Sequence, residues 1–261
     1  MKLLAEIQSP YNEIAVYETA QLDGETGRFR CVRFADGDVQ GAMDLRDPQR
    51  LVLAYQKALA GLMVRRQPLF ASAFMIGYGI GSLSRHFRGK RIVTAEIDQA
   101  VVEVGKRYFG AANDDVRIGD GRLLLEAEPD RSFDFIVLDA FTSRGTPPHL
   151  TTESFFRMAS DKLRPGGALF LNAMGRPSDD RHAEAVATTM RQVFADVRCR
   201  SLPAERSRDR RNMIFAGSDV GFELSGRKAA GLMELELVEV ELAEGHVIRD
   251  GSSGPDISGA Q

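Results

Sequence analysis

Phe74-Met75-Ile76-Gly77-Tyr78-Gly79-Ile80-Gly81-Ser82 sets three apolar residues, a short buried strand, directly before three alternating glycines and a residue that opens a helix. Small residues at such a turn let the backbone bend tightly and let a ligand lie against it, near the helix N-terminus. Gly77, Gly79 and Gly81 are therefore candidate ligand-contacting residues, and a plain tight turn is the alternative. A dinucleotide fingerprint, G-x-G-x-x-G, would want its third glycine at position 82, which is Ser82.

Downstream, strand and helix alternate. Arg91 to Ala95 reads as a strand, Gln99 to Phe109 as an amphipathic helix, Val116 to Ile118 and Phe133 to Leu138 as strands. Thr152 to Leu163 reads as a helix stopped by Pro165-Gly166-Gly167, Ala168 to Ala173 as a strand and Asp180 to Phe194 as a helix. Strands near Val197 to Leu202 and Met213 to Ala216 close the series. This alternation implies a parallel sheet covered by helices on both faces, a doubly wound α/β domain.

Upstream the rhythm is that of short strands: Leu3 to Ile7, Glu13 to Thr19, Phe29 to Phe34 and Val39 to Met43. Turn signals separate them at Ser9-Pro10, Asp23-Gly24 and Asp36-Gly37-Asp38. Asp47-Pro48 is then expected to open a helix. The chain divides into an N-terminal β-strand region (1–46), a nucleoside-binding domain (47–220), a C-terminal extension (221–249) and a disordered tail (250–261).

The acidic residues fall at the strand tips. Glu96 ends the second strand of the α/β series, where a carboxylate can accept hydrogen bonds from both hydroxyls of a ribose. Asp98, two residues on, is expected to cap the following helix. In Gly119-Asp120-Gly121, after the third strand, Asp120 can accept an exocyclic amine, and a plain turn is the alternative. Asp139 ends the fourth strand, across the switch point from the glycine loop; a turn aspartate is its bland reading. The C-terminal ends of these strands share one edge of the sheet, where α/β sheets bind ligands.

Composition excludes other classes. The 261 residues are 27% charged and 43% hydrophobic, with a formal charge of −3, so the chain is globular and carries no basic footprint for nucleic acid. Cys31 and Cys199 are far apart, and the four histidines show no metal-ligand spacing, so no metal is expected. No apolar run approaches the ~18 residues of a membrane span, and the reading is a cytoplasmic protein without a membrane partner. Arg206, Arg208, Arg210 and Arg211 alternate with Glu205 and Asp209 as a solvated loop, with an anion-binding role as the alternative.

The chain resembles the spermidine synthase (polyamine aminopropyltransferase) family. The resemblance rests on Ser9 to Val16, Tyr55-Gln56 at the family's spacing before the glycine loop, the G-x-G-x-G loop, Ala95-Glu96-Ile97-Asp98, Gly119-Asp120-Gly121 and Phe133 to Asp139. It implies a small N-terminal β domain followed by a Rossmann-like, class I AdoMet-methyltransferase-type sheet. It also implies transfer of an aminopropyl group from decarboxylated AdoMet to an amine, with no metal. Glu96 then resembles the ribose ligand, Asp120 and Gly121 the adenine corner, and Asp139 the catalytic acid–base residue. Tyr55, Gln56, Thr142 and His149 fall where the acceptor would bind, and a homodimer is left open.

Two departures bear on the chemistry. The family's glycine-loop aspartate is Ile80, and the second carboxylate of its Asp-x-x-Asp is Thr142. Charge-assisted hydrogen bonds contribute roughly 1.5–3 kcal/mol each, so recognition of a diamine would weaken. If position 80 faces the amino-acid arm, its neutrality also relaxes discrimination against intact AdoMet. Methyl transfer from AdoMet and a non-catalytic nucleoside-binding protein are therefore the alternatives.

Overall fold

The computed structural model describes residues 1–35, 37–111, 115–142, 145–204, 206, 209–222 and 237–251. Asp36, Glu205, Arg208, residues 223–236 of the expected C-terminal extension and the tail beyond Gly251 lie outside the described residues. An antiparallel meander comes first: β1 (Lys2–Gln8), β2 (Glu13–Leu22), β3 (Glu25–Arg33) and β4 (Val39–Asp44). Asp23 (φ +47°) and Gly24 (φ +79°) make the two-residue turn from β2 to β3, the left-handed pair that suits the twist of a hairpin.

Both faces of the meander are used. Ile14, Val16 and Val32 join Tyr78, Ile80, Val101 and Val104 in one apolar cluster. Tyr17, Phe29, Cys31 and Ala42 pack with Val52 and Leu53 in another. The helix expected from Asp47 begins only at Ala54, as α1 (Ala54–Arg66). Residues 47–50 instead form a turn, with the Arg50 N–H on the Asp47 carbonyl at 3.1 Å, and Leu51 bridges back to Met43. The apolar run Leu51-Val52-Leu53 is needed extended, to cover the meander, so the proline signal yields to packing.

The second sheet contains β5 (Ser72–Ile76), β6 (Arg91–Glu96), β7 (Asp115–Ile118), β8 (Phe133–Leu138), β9 (Leu163–Gly175), β10 (Asp196–Ser201), β11 (Arg211–Ser218) and β12 (Val238–Glu239). Its order is β12-β10-β11-β9-β8-β5-β6-β7. The five strands from β9 to β7 are parallel, and β11, β10 and β12 are antiparallel, so the expected parallel sheet is mixed. Among the described residues no helix separates β10 from β11, and a short connection can only return antiparallel. Helices α2 (Ser82–His86), α3 (Gln99–Phe109), α4 (Gly121–Glu126), α5 (Glu153–Lys162) and α6 (Arg181–Arg191) complete the fold. β8 is buried along its whole length: Ile136 and Leu138 pack with Leu169 and Leu171, and Phe135 and Val137 with Ala168 and Phe170.

Two boundaries differ from expectation for local reasons. β9 starts at Leu163, opposite Phe133, then bulges through Pro165-Gly166-Gly167 before the ladder resumes at Ala168. Asp250, assigned to a disordered tail, is paired with Arg122 at 2.9 Å, and Ile248 receives the Glu153 N–H at 2.8 Å. Both cysteines are free, and burial pushes their thiols up to about 11 (Cys31) and about 12 (Cys199). Among the described residues no helix is long and apolar enough to cross a membrane.

The two sheets are tied by few polar contacts. Ser9 Oγ donates to Asp98 Oδ2 at 2.5 Å, and Arg30 Nη1 donates to the Tyr108 carbonyl at 2.7 Å. Buried Arg85 donates to the carbonyls of Pro48 and Phe109, at 2.8 and 2.9 Å. Ile80, 1% exposed, fills the apolar part of this seam, where a Cβ on Gly41 would lie 2.9 Å from it. Ile80→Asp therefore buries an unpaired carboxylate and is expected to cost about 3–5 kcal/mol at neutral pH. Urea melts check this, and the loss should shrink in acid, where the new group is protonated.

Candidate active site

The ends of β5, β6, β7 and β8 open into one cavity of about 330 Å³. It brings together Gly77, Gly79, Gly81, Glu96, Asp120, Gly121 and Asp139 with Tyr55, Gln56, Thr142 and His149. These residues from the glycine loop, the strand tips and the acceptor positions therefore share one wall. The N-terminal sheet contributes Tyr11, Asn12 and Gln40.

Glycine is required at particular points of that wall. Gly77, Gly79 and Gly81 have φ of +98°, +57° and +70°, conformations that residues with a Cβ rarely adopt. A Cβ on Gly77 would lie 2.2 Å from the Asp139 carbonyl oxygen, and one on Gly121 2.3 Å from Ile76. Gly121 is thus fixed by packing of α4 against β5 as well as by any ligand. Ser82 Oγ and Thr94 Oγ1, both on the cavity wall and buried, have no hydrogen-bond partner. Buried hydroxyls normally find one, which fits a polar ligand in this cavity.

Glu96 is bound by backbone yet retains capacity. Its Oε2 accepts the Tyr78 N–H at 2.9 Å and its Oε1 the Asp98 N–H at 3.0 Å. Each carboxylate oxygen has a second lone pair, so the pair of ribose hydroxyls has two acceptors available. Burial raises the Glu96 carboxyl above its usual range, against the lowering by the backbone donors. Asp98 is the cap of α3, accepting the Ala100 N–H at 3.0 Å, as expected.

Asp120 is a cap too. Its Oδ1 accepts the Arg122 and Leu123 N–H groups that start α4, at 2.9 and 3.2 Å, and its Oδ2 meets His149 Nε2 at 2.8 Å. His149 stands in a 3₁₀ turn (Pro148–Leu150) whose carbonyl is held by Arg122 at 3.1 Å. Neither α4 nor this turn was evident from periodicity, because both are too short to show one.

Asp139 is held by two side-chain donors. Asn172 Nδ2 donates to its Oδ1 at 2.8 Å, and the Tyr55 hydroxyl also donates to it. Gln56 Nε2 donates to the Tyr55 hydroxyl at 3.2 Å, leaving Gln56 Oε1 buried without a partner. Burial raises Asp139 to about 6, against the lowering by Asn172 and Tyr55, and burial sends the Tyr55 phenol well above its usual range. Thr142 Oγ1 donates to the Gly145 carbonyl at 2.9 Å and so closes its own loop.

Ile80 corrects the sequence reading. Its side chain is in the seam between the sheets, and the residue is not among those that line the cavity. In this chain the Ile80 side chain therefore packs away from the cavity wall. Asn172 and Asn212 are the site residues that sequence reasoning missed; an amide inside the apolar run Leu169 to Ala173 was the available signal.

Residues 52–203 match the family model described as the spermine/spermidine synthase domain. Spermidine synthase 1 of Pisum sativum is 29% identical over 204 residues, 74% of this chain and 57% of that one. The polyamine aminopropyltransferase of Vibrio vulnificus is 29% identical over 217 residues, 78% of this chain and 69% of that one. The chain thus spans well under two thirds of the pea protein. The crystal structure of a probable spermidine synthase from Corynebacterium glutamicum superposes with a TM-score of 0.79 over 97% of this chain and 98% of that one, at 21% identity, which establishes the fold.

The raised carboxyl of Asp139 has a consequence for stability. From its ordinary 3.8 up to about 6 the folded chain holds this proton and the unfolded chain does not. The stabilisation is complete below the lower value and is lost as pH rises through the upper. Between about pH 4 and 7 the wild type should lose about 2–3 kcal/mol more than Asp139→Asn does, in denaturant melts of the two proteins.

Proposed function

This chain belongs to the spermine/spermidine synthase family, and from that premise we propose that it transfers an aminopropyl group from decarboxylated AdoMet to an amine. The observation that carries this reading is the Asp139 carboxylate, hydrogen-bonded to Tyr55 and Asn172 and set beside the glycine loop in one cavity. Decarboxylated AdoMet, when bound, supplies a sulfonium whose carbon–sulfur bond breaks as the amine nitrogen attacks that carbon, the electron pair going to sulfur.

The chain's own residues divide the remaining work. Glu96 offers acceptors for ribose hydroxyls, and Gly77 to Gly81 give backbone against which a nucleoside can lie. Asp120 shares its Oδ2 between His149 and an adenine amine. An aliphatic amine, with a reference pKa of ~10.4, is protonated near neutrality and cannot attack carbon until the proton leaves. Asp139 takes that proton. Gln56 Oε1, having no partner of its own, accepts a second N–H of the same amine and so orients it.

Methyl transfer from intact AdoMet is favoured by one observation. With Ile80 in the seam, the cavity wall has no carboxylate at that position to repel the carboxylate of AdoMet. Calorimetry with decarboxylated AdoMet, AdoMet and methylthioadenosine, followed by product analysis with an amine panel, separates the two. Tight binding of AdoMet with a methylated product would overturn the aminopropyl reading.

Glu96→Gln is expected to weaken each of those adenosine ligands by about 1–3 kcal/mol in the same calorimetry, since ribose hydroxyls lose a charged acceptor. Asp139→Asn should leave ligand affinity nearly unchanged and cut turnover by roughly 10²–10⁴. The base works only when ionised. In the wild type, kcat/KM should therefore fall as pH drops through about 6, and this limb should be absent from the residual rate of Asp139→Asn.

A further inference from the structure

Two asparagines stand behind Asp139 and take part in none of the steps above. Asn172, on β9, is fully buried between Leu171 and Ala173, both core residues. Its Nδ2 donates to Asp139 Oδ1 at 2.8 Å, and its Oδ1 accepts from Asn212 Nδ2 at 3.1 Å. Asn212 is on β11, which pairs with β9 so that Asn172 lies opposite Ile214 and Asn212 opposite Met174. The two amides are thus diagonal neighbours across an antiparallel ladder, within reach of one another.

The hydrogen bonds in this line have one consistent direction. An amide can turn either its N–H₂ or its oxygen towards a neighbour, whereas an ionised carboxylate only accepts. With Nδ2 committed to Asp139, the Asn172 oxygen faces into the sheet and would be an unpaired buried acceptor. Asn212 supplies the missing donor. Flipping Asn172 would set two oxygens face to face at Asp139, so the carboxylate demands this orientation and Asn212, donating its Nδ2, stabilises it.

We propose that Asn172, oriented by Asn212, is the positioning residue for Asp139, anchoring Oδ1 so that the carboxylate is held at the cavity while Tyr55 donates to it from α1. Asn172 is fixed by burial in the sheet and half-buried Asn212 by its bond to it, so little side-chain freedom remains to be lost when an acceptor binds. The titratable residues lining the same cavity are Tyr11, Tyr55, Tyr78, Glu96, Asp120 and His149. Of these, Tyr55 is the one hydrogen-bonded to Asp139. The catalytic meaning of this assignment rests on Asp139 being the proton acceptor, but its test reads the carboxyl group itself.

The test is a pH titration by carbon NMR of protein labelled at the aspartate carboxyl carbons. The Asp139 resonance is identified by its loss in Asp139→Asn. The wild-type midpoint is expected at about 6. In Asn172→Ala it should rise by about one pH unit, because the ionised form loses a donor. Asn212→Ala should raise it less, and Asn172→Ser, which retains a hydroxyl donor, should fall between wild type and Asn172→Ala. A merely structural role would lower the melting temperature and leave the midpoint where it was.

A folded Asn172→Ala with an unmoved midpoint overturns the proposal. If that variant does not fold, unmoved midpoints in both Asn212→Ala and Asn172→Ser overturn it equally. Turnover is scored separately: full activity in Asp139→Asn would remove the proton-acceptor reading, whatever the midpoints do.

Discussion

The approach of two strand ends, Ile76-Gly77 on β5 and Leu138-Asp139 on β8, is the constraint on which the site depends. The Asp139 N–H donates to the Ile76 carbonyl at 2.8 Å, and the Asp139 carbonyl occupies the place a Cβ at residue 77 would need. Glycine alone permits that contact. Because β6 lies on one side of β5 and β8 on the other, the crevice opens at this point of the sheet. The glycine loop and the carboxylate are therefore held by the two most buried strands, so the distance between them is set by the core.

The N-terminal meander closes the open side of that crevice. Its Ser9 side chain is bound to Asp98, the cap of α3, and Glu96, two residues earlier, carries the backbone N–H of Asp98. The carboxylate proposed for the ribose and a joint between the sheets are thus adjacent on one short segment. Ile80 belongs to the same joint. An aspartate there would serve a ligand's ammonium only by taking a charge into an apolar seam, whereas isoleucine adds to the packing of Val16, Val32 and Val101. What looked like loss of a substrate anchor is also a gain in how firmly the meander sits.

Much of this was legible from the sequence because it depends on neighbours in the chain. The glycine loop, Glu96, the Asp98 cap and Asp139 each follow a recognisable strand, and α3 begins and ends at the residues its periodicity gives. The Asp47-Pro48 start failed because a proline tolerates a helix start without demanding one, and the apolar run after it had a sheet to cover. The direction of β11 and the pairing of Asn172 with Asn212 are invisible locally. They are separated by 40 residues, and only the ladder between β9 and β11 brings them together. The packing of position 80 is hidden for a similar reason: alternation along a turn of glycines does not say which side chain enters the seam.

The chemistry of Asp139 follows from what surrounds it. Burial alone would drive the carboxyl up until it stayed protonated near neutrality and could take no proton. An arginine alongside would do the reverse and leave it too weak a base to help an amine. Here the partners are neutral, a phenol and an amide, and both oppose burial without cancelling it, leaving the group at about 6. It is then ionised at neutral pH and remains more basic than a surface aspartate, which is the compromise that general-base catalysis favours. Neutral donors, one from a helix and one from a sheet, achieve this balance rather than a cation. They impose a condition of their own, since each amide needs a partner for its other end, and that is what brings a residue as distant as Asn212 into the site.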